Sequence, residues 1–253
     1  MPLNNTVFFV ANDIKHDNEI WATQGTAATT QLFIDYNSSG SIKVNFGSDI
    51  YGMATLGNNI IAQIASSVVK FNENNPPTMI YNSGLLNPKN PEFTQFNSKL
   101  YYKGWDIANA GYELYSTDGT TVEKVKDFTT DFNGGEPTKF LVYQGNLYFT
   151  TENNSKLWRS DGTETGTILI KTFTSNAINS AIYGLNGQIF FSANTSTYGL
   201  ELWKSDGSEA GTTIVKDIYN GNGSSYIENI VLFNGFIYFI AFNGSGFFLW
   251  KSD

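Results

Sequence analysis

The chain has 253 residues, no cysteine, and a formal net charge of -8, with 15 Lys and Arg against 23 Asp and Glu. Disulfides, a thiol nucleophile and cysteine-ligated zinc are therefore excluded, and the basic residues form no positive stripe of the kind nucleic acid requires. Aromatic residues make up 15% and charged residues 15%, a balance that suits strands around a packed core and not a disordered or coiled-coil chain.

Read in order, the opening "MPLNNTVFFV" has no basic segment followed by an apolar one, so no signal peptide is expected in the chain as it stands. Strand-like sequence begins at Thr6, which reads as a mature form or an excised piece. A first unit (residues 6–36) carries "NEIWATQGT" and is expected to supply only the second, third and fourth strands of a sheet. The polar loop "NDIKHDNE" (residues 12–19) interrupts it and holds the sole histidine, His16. "LGNN" (Leu56–Asn59) is a tight turn, and "SSVVKFNENNPPTMIY" (Ser66–Tyr81) is a degenerate second copy. The third unit contains "KGWDIANAGY" (Lys103–Tyr112) and "ELYSTDGTTVEKVKDF" (Glu113–Phe128).

The fourth unit contains "YQGN" (Tyr143–Asn146) and "KLWRSDGTETGTILIKTF" (Lys156–Phe173). The fifth parses most clearly: strands over Ser180–Gly187, Gln188–Asn194, Leu200–Gly207 and Thr212–Ile218, the first two joined by an Asn-Gly hairpin turn. The sixth (residues 226–253) turns at "FNGF" and ends at "FFLWKSD", which leaves it three strands. The chain stops in mid-motif, as a piece of a longer array would. No segment keeps a helical period for more than about a turn, and no apolar run approaches the length of a membrane span.

The aromatic of the "LW" pair fixes the period. Tyr115, Trp158, Trp203 and Trp250 follow one another at 43, 45 and 47 residues, and the 94 residues between Trp21 and Tyr115 equal two such steps. Six units of four short antiparallel strands at this period are the signature of β-propeller blades. The expected fold is one all-β propeller over 1–253, with units near 1–47, 48–91, 92–136, 137–178, 179–225 and 226–253 and an incomplete blade at the seam. An open seam predicts closure through a second copy, hence self-association. Within the motif, Leu202 and Trp203 are adjacent and leave opposite faces of their strand, each toward a neighbouring blade.

These repeats, "ELWKSDGSEAGTTIVKDI", "KLWRSDGTETGTILIKTF" and "YELYSTDGTTVEKVKDF", with weaker copies in "EIWATQGTAATT" and "FLWKSD", resemble the ELWxxDGT repeats of bacterial proteins often labelled hyalin-like. The resemblance covers the chain except the second unit. It implies a secreted or surface-attached bacterial protein and brings no catalytic residues with it.

Candidate chemistry divides into repeated and unique positions. The turn aspartates Asp118, Asp161, Asp206 and Asp253, replaced by Gln24 in the first copy, are read as turn caps and not as cation ligands. Glu19, Glu113 and Glu201 precede the motif but become Lys156 and Phe248 elsewhere, which suits cross-strand pairs with lysines such as Lys126 and Lys216 better than a catalytic ring. Asp13 and Asp17 beside His16 are the candidate ligands for a calcium cofactor, although the loop lacks the Asp-x-Asp-x-Asp-Gly pattern. One histidine and no Gly-x-Ser-x-Gly elbow argue against a hydrolytic triad.

A glycosidase-type carboxylate pair would have to come from the unique acids Asp106, Asp131, Glu136 and Glu152. Loops in which copies differ carry function on a repeat scaffold. Trp105 and Asp106 in the third unit and Tyr198 in the fifth offer an aromatic face beside polar groups, which is sugar-binding chemistry. The alternative for Trp105 is simple burial at the blade edge. The expectation is a non-enzymatic surface or extracellular binding module for a glycan or a surface protein; a glycan-active hydrolase and a purely structural or protein-contact scaffold are the alternatives.

Overall fold

A computed structural model describes the chain except residues 13–17, 35–49, 83–89, 109, 129–133 and 175–176. The described residues form six antiparallel sheets, each a meander in chain order, and one short 3-10 turn, Ala27–Thr29. Alternating aromatic and β-branched residues punctuated by Gly and Asn turns leave the backbone little else to do. The fold is all-β, built from propeller-type blades. It divides into two compact units, residues 1–134 and 135–253.

In the first unit, the first sheet is β1 (Pro2–Leu3), β2 (Thr6–Asn12), β3 (Asn18–Thr23) and β4 (Gln31–Ile34). The second is β5 (Ile50–Leu56), β6 (Asn59–Ile64), β7 (Ser67–Asn72) and β8 (Asn75–Asn82). The third is β9 (Thr94–Phe96), β10 (Lys99–Asp106), β11 (Gly111–Thr117) and β12 (Val122–Lys126). The first sheet has a first strand after all: Pro2 and Leu3 pair with Val7 and Thr6. Its proline made it unreadable as a strand, but at an edge a missing N–H costs no ladder bond.

In the second unit, the fourth sheet is β13 (Thr138–Tyr143), β14 (Asn146–Thr151), β15 (Lys156–Ser160) and β16 (Ile168–Thr172). The fifth is β17 (Tyr183–Leu185), β18 (Gln188–Thr195), β19 (Gly199–Ser205) and β20 (Thr213–Lys216). The sixth has β21 (Glu228–Phe233), β22 (Phe236–Phe242) and β23 (Phe247–Ser252), with β23 at its edge.

Each unit's core lies between successive sheets. Phe8 and Ile20 of the first sheet meet Ile60, Val69 and Phe71 of the second. Ile61 and Val68 then meet Leu100, Tyr102 and Tyr115 of the third. In the second unit Leu157 and Tyr148 pack with Phe191 and Trp203, while Phe190 and Leu202 pack with Ile237 and Phe239. Neighbours in sequence thus enter different cores, as the period of two along a strand requires. Fully burying one such side chain contributes about 1.5–3 kcal/mol, and a lone sheet would forfeit one whole face of it.

Connections are stitched by main-chain bonds from the second strand of a sheet to the crossover before it. Glu152 N–H donates to Gly135 O (2.6 Å), Asn194 N–H to Ala177 O (2.8 Å) and Phe242 N–H to Ser225 O (2.7 Å). At Gly199 the backbone has φ of +62°, and a Cβ there would lie 2.0 Å from Gly223 O. Gly145, with φ of +72°, has open space around it. Gly145→Ala should therefore cost about 1 kcal/mol through backbone strain alone, and Gly199→Ala about 3 kcal/mol, because a crossover must also move. Urea unfolding of the two variants checks this; equal losses would mean that the contact is not felt.

Candidate functional site

The repeated motif builds a turn network between the third and fourth strands. Asp206 Oδ1 accepts from Ser208 N–H (2.9 Å) and Ser208 Oγ (2.6 Å), and Ser208 Oγ accepts from Gly211 N–H (3.0 Å). Asp161 takes the same bonds from Thr163 N–H (2.9 Å) and Oγ1 (2.7 Å). A Cβ on Gly211 would sit 2.1 Å from Asp206 Oδ1, and one on Gly166 2.0 Å from Asp161 Oδ1, so the second glycine of the motif makes room for the carboxylate. Beneath each turn a buried hydroxyl pair, Ser205–Thr212 and Ser160–Thr167, closes at 2.7 Å. Asp118 accepts from Thr120 N–H (2.7 Å) and Thr121 N–H (2.8 Å).

These donors hold all three carboxyls below the usual range. The cause is first the Thr121 and Thr120 N–H groups for Asp118, and first the Thr163 or Ser208 hydroxyl for Asp161 and Asp206. Their stabilising contribution is thus present above the ordinary aspartate pKa and is lost as pH falls through the lowered one.

The glutamate of the motif does something that spacing did not suggest. In five sheets the third and fourth strands slip register at an equivalent place, between Ile20 and Trp21, Val68 and Val69, Leu114 and Tyr115, Leu157 and Trp158, and Leu202 and Trp203, the second sheet slipping again between Lys70 and Asn72. Beside this bulge Glu19, Glu113 and Glu201 are each 0% exposed. Glu113 Oε2 accepts from Phe128 N–H (2.9 Å), and Glu201 accepts from Tyr219 N–H (3.1 Å) and Ser225 Oγ (2.7 Å). The Glu113 and Glu201 carboxylates thus catch the chain as it leaves the fourth strand.

At Glu201 this bond stands where a pairing with the strand lysine Lys216 was expected. Lys216 lies opposite Leu202, on the other face of the strand from Glu201, with its ammonium 5.4 Å from the Trp250 ring centre. Where Lys156 stands in place of the glutamate, Phe173 N–H bonds Ser155 O (2.7 Å), and Lys156 turns to Glu152.

Burial raises the Glu201 carboxyl above its ordinary value, against the pull of Ser225, Tyr219 and Ile218 and with the help of Asp217. A group raised in the fold favours folding most below its unfolded pKa, and that contribution disappears as pH rises through the folded one. Glu201→Gln keeps an acceptor for Tyr219 and removes the titration. Its melting temperature should match or exceed that of the parent at neutral pH and lose the decline across the weakly acidic range. A loss of stability at every pH would show that the charge itself is needed.

The unique residues are placed as follows. Trp105, at the end of β10, is half-buried and meets Tyr112 edge-on at 5.1 Å. Asp106, 6% exposed, accepts from Lys124 Nζ (2.7 Å) and caps the turn at Ala108 N–H (3.1 Å). Burial works against the Lys124 charge, but Asp106 and Asp127 outweigh it and raise its pKa. Tyr198 belongs to the second unit, half-buried with its ring 6.4 Å from Trp203. Glu152 pairs with Lys156. Asp13, His16, Asp17 and Asp131 lie outside the described residues; among those described, no three acidic or histidine side chains gather as cation ligands.

Among the described residues, the first unit has two recesses with polar linings. One, of about 270 Å³, lies at the third turn of the first sheet and is lined by Thr6, Gln24, Thr29 and Gln31. The other, of about 10 Å³, lies between the second and third sheets and is lined by Gln63, Ser66, Tyr81, Tyr102, Gly104 and Trp105. Sequence reasoning reached only Trp105 of this group. Gln63, the amide inside the apolar run after Asn59 in "NIIAQI" of β6, was the signal available.

No family model matches the chain, and no curated protein does. Among solved structures it is similar to the computationally designed protein Ika8, at 10% identity and TM-score 0.55, covering 100% of this chain and 70% of that one. It is also similar to PorZ of Porphyromonas gingivalis, a bacterial surface component of the type-IX secretion system, at 13% identity and TM-score 0.51, over 98% of this chain and 32% of that one. Virginiamycin B lyase from Staphylococcus aureus aligns at 16% identity and TM-score 0.49, over 81% of this chain and 70% of that one. At these identities the likeness to Ika8 and PorZ shows the fold alone. No helix among the described residues is long and apolar enough to cross a membrane.

Proposed function

We propose that this repeat scaffold is a non-enzymatic binding module, outside the cell or on its surface, whose ligand is carbohydrate. The observation that carries the reading is the half-exposed Trp105 beside the recess of Tyr81, Tyr102, Gln63 and Ser66. A flat apolar ring next to amide and hydroxyl groups matches the alternating apolar faces and hydroxyls of a sugar. The non-catalytic part is supported by the fate of the carboxylates: Glu113, Glu201 and Asp106 are buried and spend their oxygens on backbone or lysine. The surface location rests on the repeat resemblance and on PorZ being a surface component. On a glycan array with calcium present, the protein should bind one sugar class saturably, and Trp105→Ala should weaken binding about tenfold. A blank array from folded protein would rule the reading out.

A second reading, self-association, has its own observation. β23 is an edge strand, and its Phe247, Phe248 and Leu249 are 58%, 50% and 73% exposed. An unpaired apolar edge invites strand pairing with another chain. Light scattering should give a dimer or larger mass that Leu249→Lys reduces to the monomer; a monomer across the accessible concentrations would overturn it.

A further inference from the structure

Two residues that line the recess between the second and third sheets each hold a buried polar atom with no hydrogen-bond partner among the described residues: Gln63 Oε1 and the Tyr102 hydroxyl. Both residues are more than nine-tenths buried, Gln63 at 6% and Tyr102 at 2% exposure. An orphaned buried polar atom costs a free energy comparable to a lost hydrogen bond, so native proteins seldom leave one. Here there are two on the same small space, and they are complementary. An amide oxygen only accepts, whereas a phenol carries a proton to donate. Burial raises the Tyr102 pKa further, which keeps that proton on the ring oxygen at neutral pH.

The recess, at about 10 Å³, has the volume of a single oxygen-sized occupant. Its wall is rigid. The Tyr102 ring is held by Phe93 at 5.0 Å and Tyr115 at 6.1 Å, and Gln63 projects from β6 at the register position opposite Val68. Trp105 lines the same space.

We propose that this recess is a one-oxygen site: an O–H group donates to Gln63 Oε1 and accepts from the Tyr102 hydroxyl, and that group is a hydroxyl of the bound sugar whose ring lies against Trp105. This rests on the carbohydrate reading above. An ordered water has the same hydrogen-bonding chemistry and is the other source of the O–H group. The site requires both a donor and an acceptor in one group, so a thioether, a methyl or a carboxylate oxygen without its proton would not serve.

A double-mutant cycle in thermal unfolding tests the site without knowledge of the ligand. Tyr102→Phe keeps the ring and its packing, and Gln63→Met keeps the chain length. If an O–H group bridges the two, each single variant lowers the melting temperature by about 2–4 °C, and the double variant falls by less than the two losses combined. If each variant leaves or raises the melting temperature and the effects add, nothing bridges them and the proposal is overturned.

The source is then read by adding free glucose, galactose, mannose, N-acetylglucosamine or glycerol to the same samples. A sugar that raises the melting temperature of the parent and not of Tyr102→Phe places its hydroxyl in the recess. A non-additive cycle with no response to any of these probes assigns the O–H group to water, which leaves the one-oxygen site standing and counts against the carbohydrate reading.

Discussion

Burial on both faces of the central strands is the constraint on which everything else depends. Phe190 and Phe191 are neighbours in β18, yet one packs toward the sixth sheet and the other toward the fourth. The same split occurs at Leu202 and Trp203 of β19. A four-stranded sheet that is apolar on both sides has no solvated face on which to end, so its stability is borrowed from its neighbours. Composition follows directly from this. Aromatics crowd the second and third strands, and the charged residues that do fall there, such as Glu113, Glu201 and Asp106, are tied up in hydrogen bonds.

Stacked sheets need accurate edges, and the motif supplies them with polar chemistry. The register slip beside the tryptophan tilts the fourth strand, and the buried glutamate captures the N–H where that strand ends. A buried carboxylate is expensive to desolvate, and the raised pKa of Glu201 registers that cost. It is tolerated because it fixes the crossover that starts the next sheet: Ser225 bonds both Glu201 and Leu200 O. The aspartate turn at the other end of the strand works with lowered pKa values, since its donors face solvent and the charge is never buried. One motif thus holds two carboxylates with opposite shifts: burial outweighs the donors at Glu201, and the Ser208 donors outweigh a slight burial at Asp206.

Chemistry for a ligand is left to positions at which copies differ. Asp106 is unique in sequence, but Lys124 and the Ala108 N–H occupy its carboxylate, which removes it from the exposed inventory. Trp105, one residue earlier, points along the other face and stays half-exposed beside the recess. The alternation of a strand separates a structural acid from a candidate platform within two residues.

The blade count, the four-strand order of the fifth unit and the opposite destinations of Leu202 and Trp203 were legible in the sequence, because a period of two within strands and of about 45 between them is set by local geometry; the outer strands of that unit, Tyr183–Leu185 and Thr213–Lys216, are shorter than expected. The aspartate turn was legible for the same reason, since its donors lie within three residues. Three features were decided only by the tertiary structure. Glu201 finds partners at Tyr219 and Ser225, Pro2–Leu3 becomes a strand only because β2 offers it an edge, and Gln63 meets the wall of Tyr102 from another sheet. In each case the partner is distant in the chain, and distance along a sequence carries no record of which faces packing will bring together.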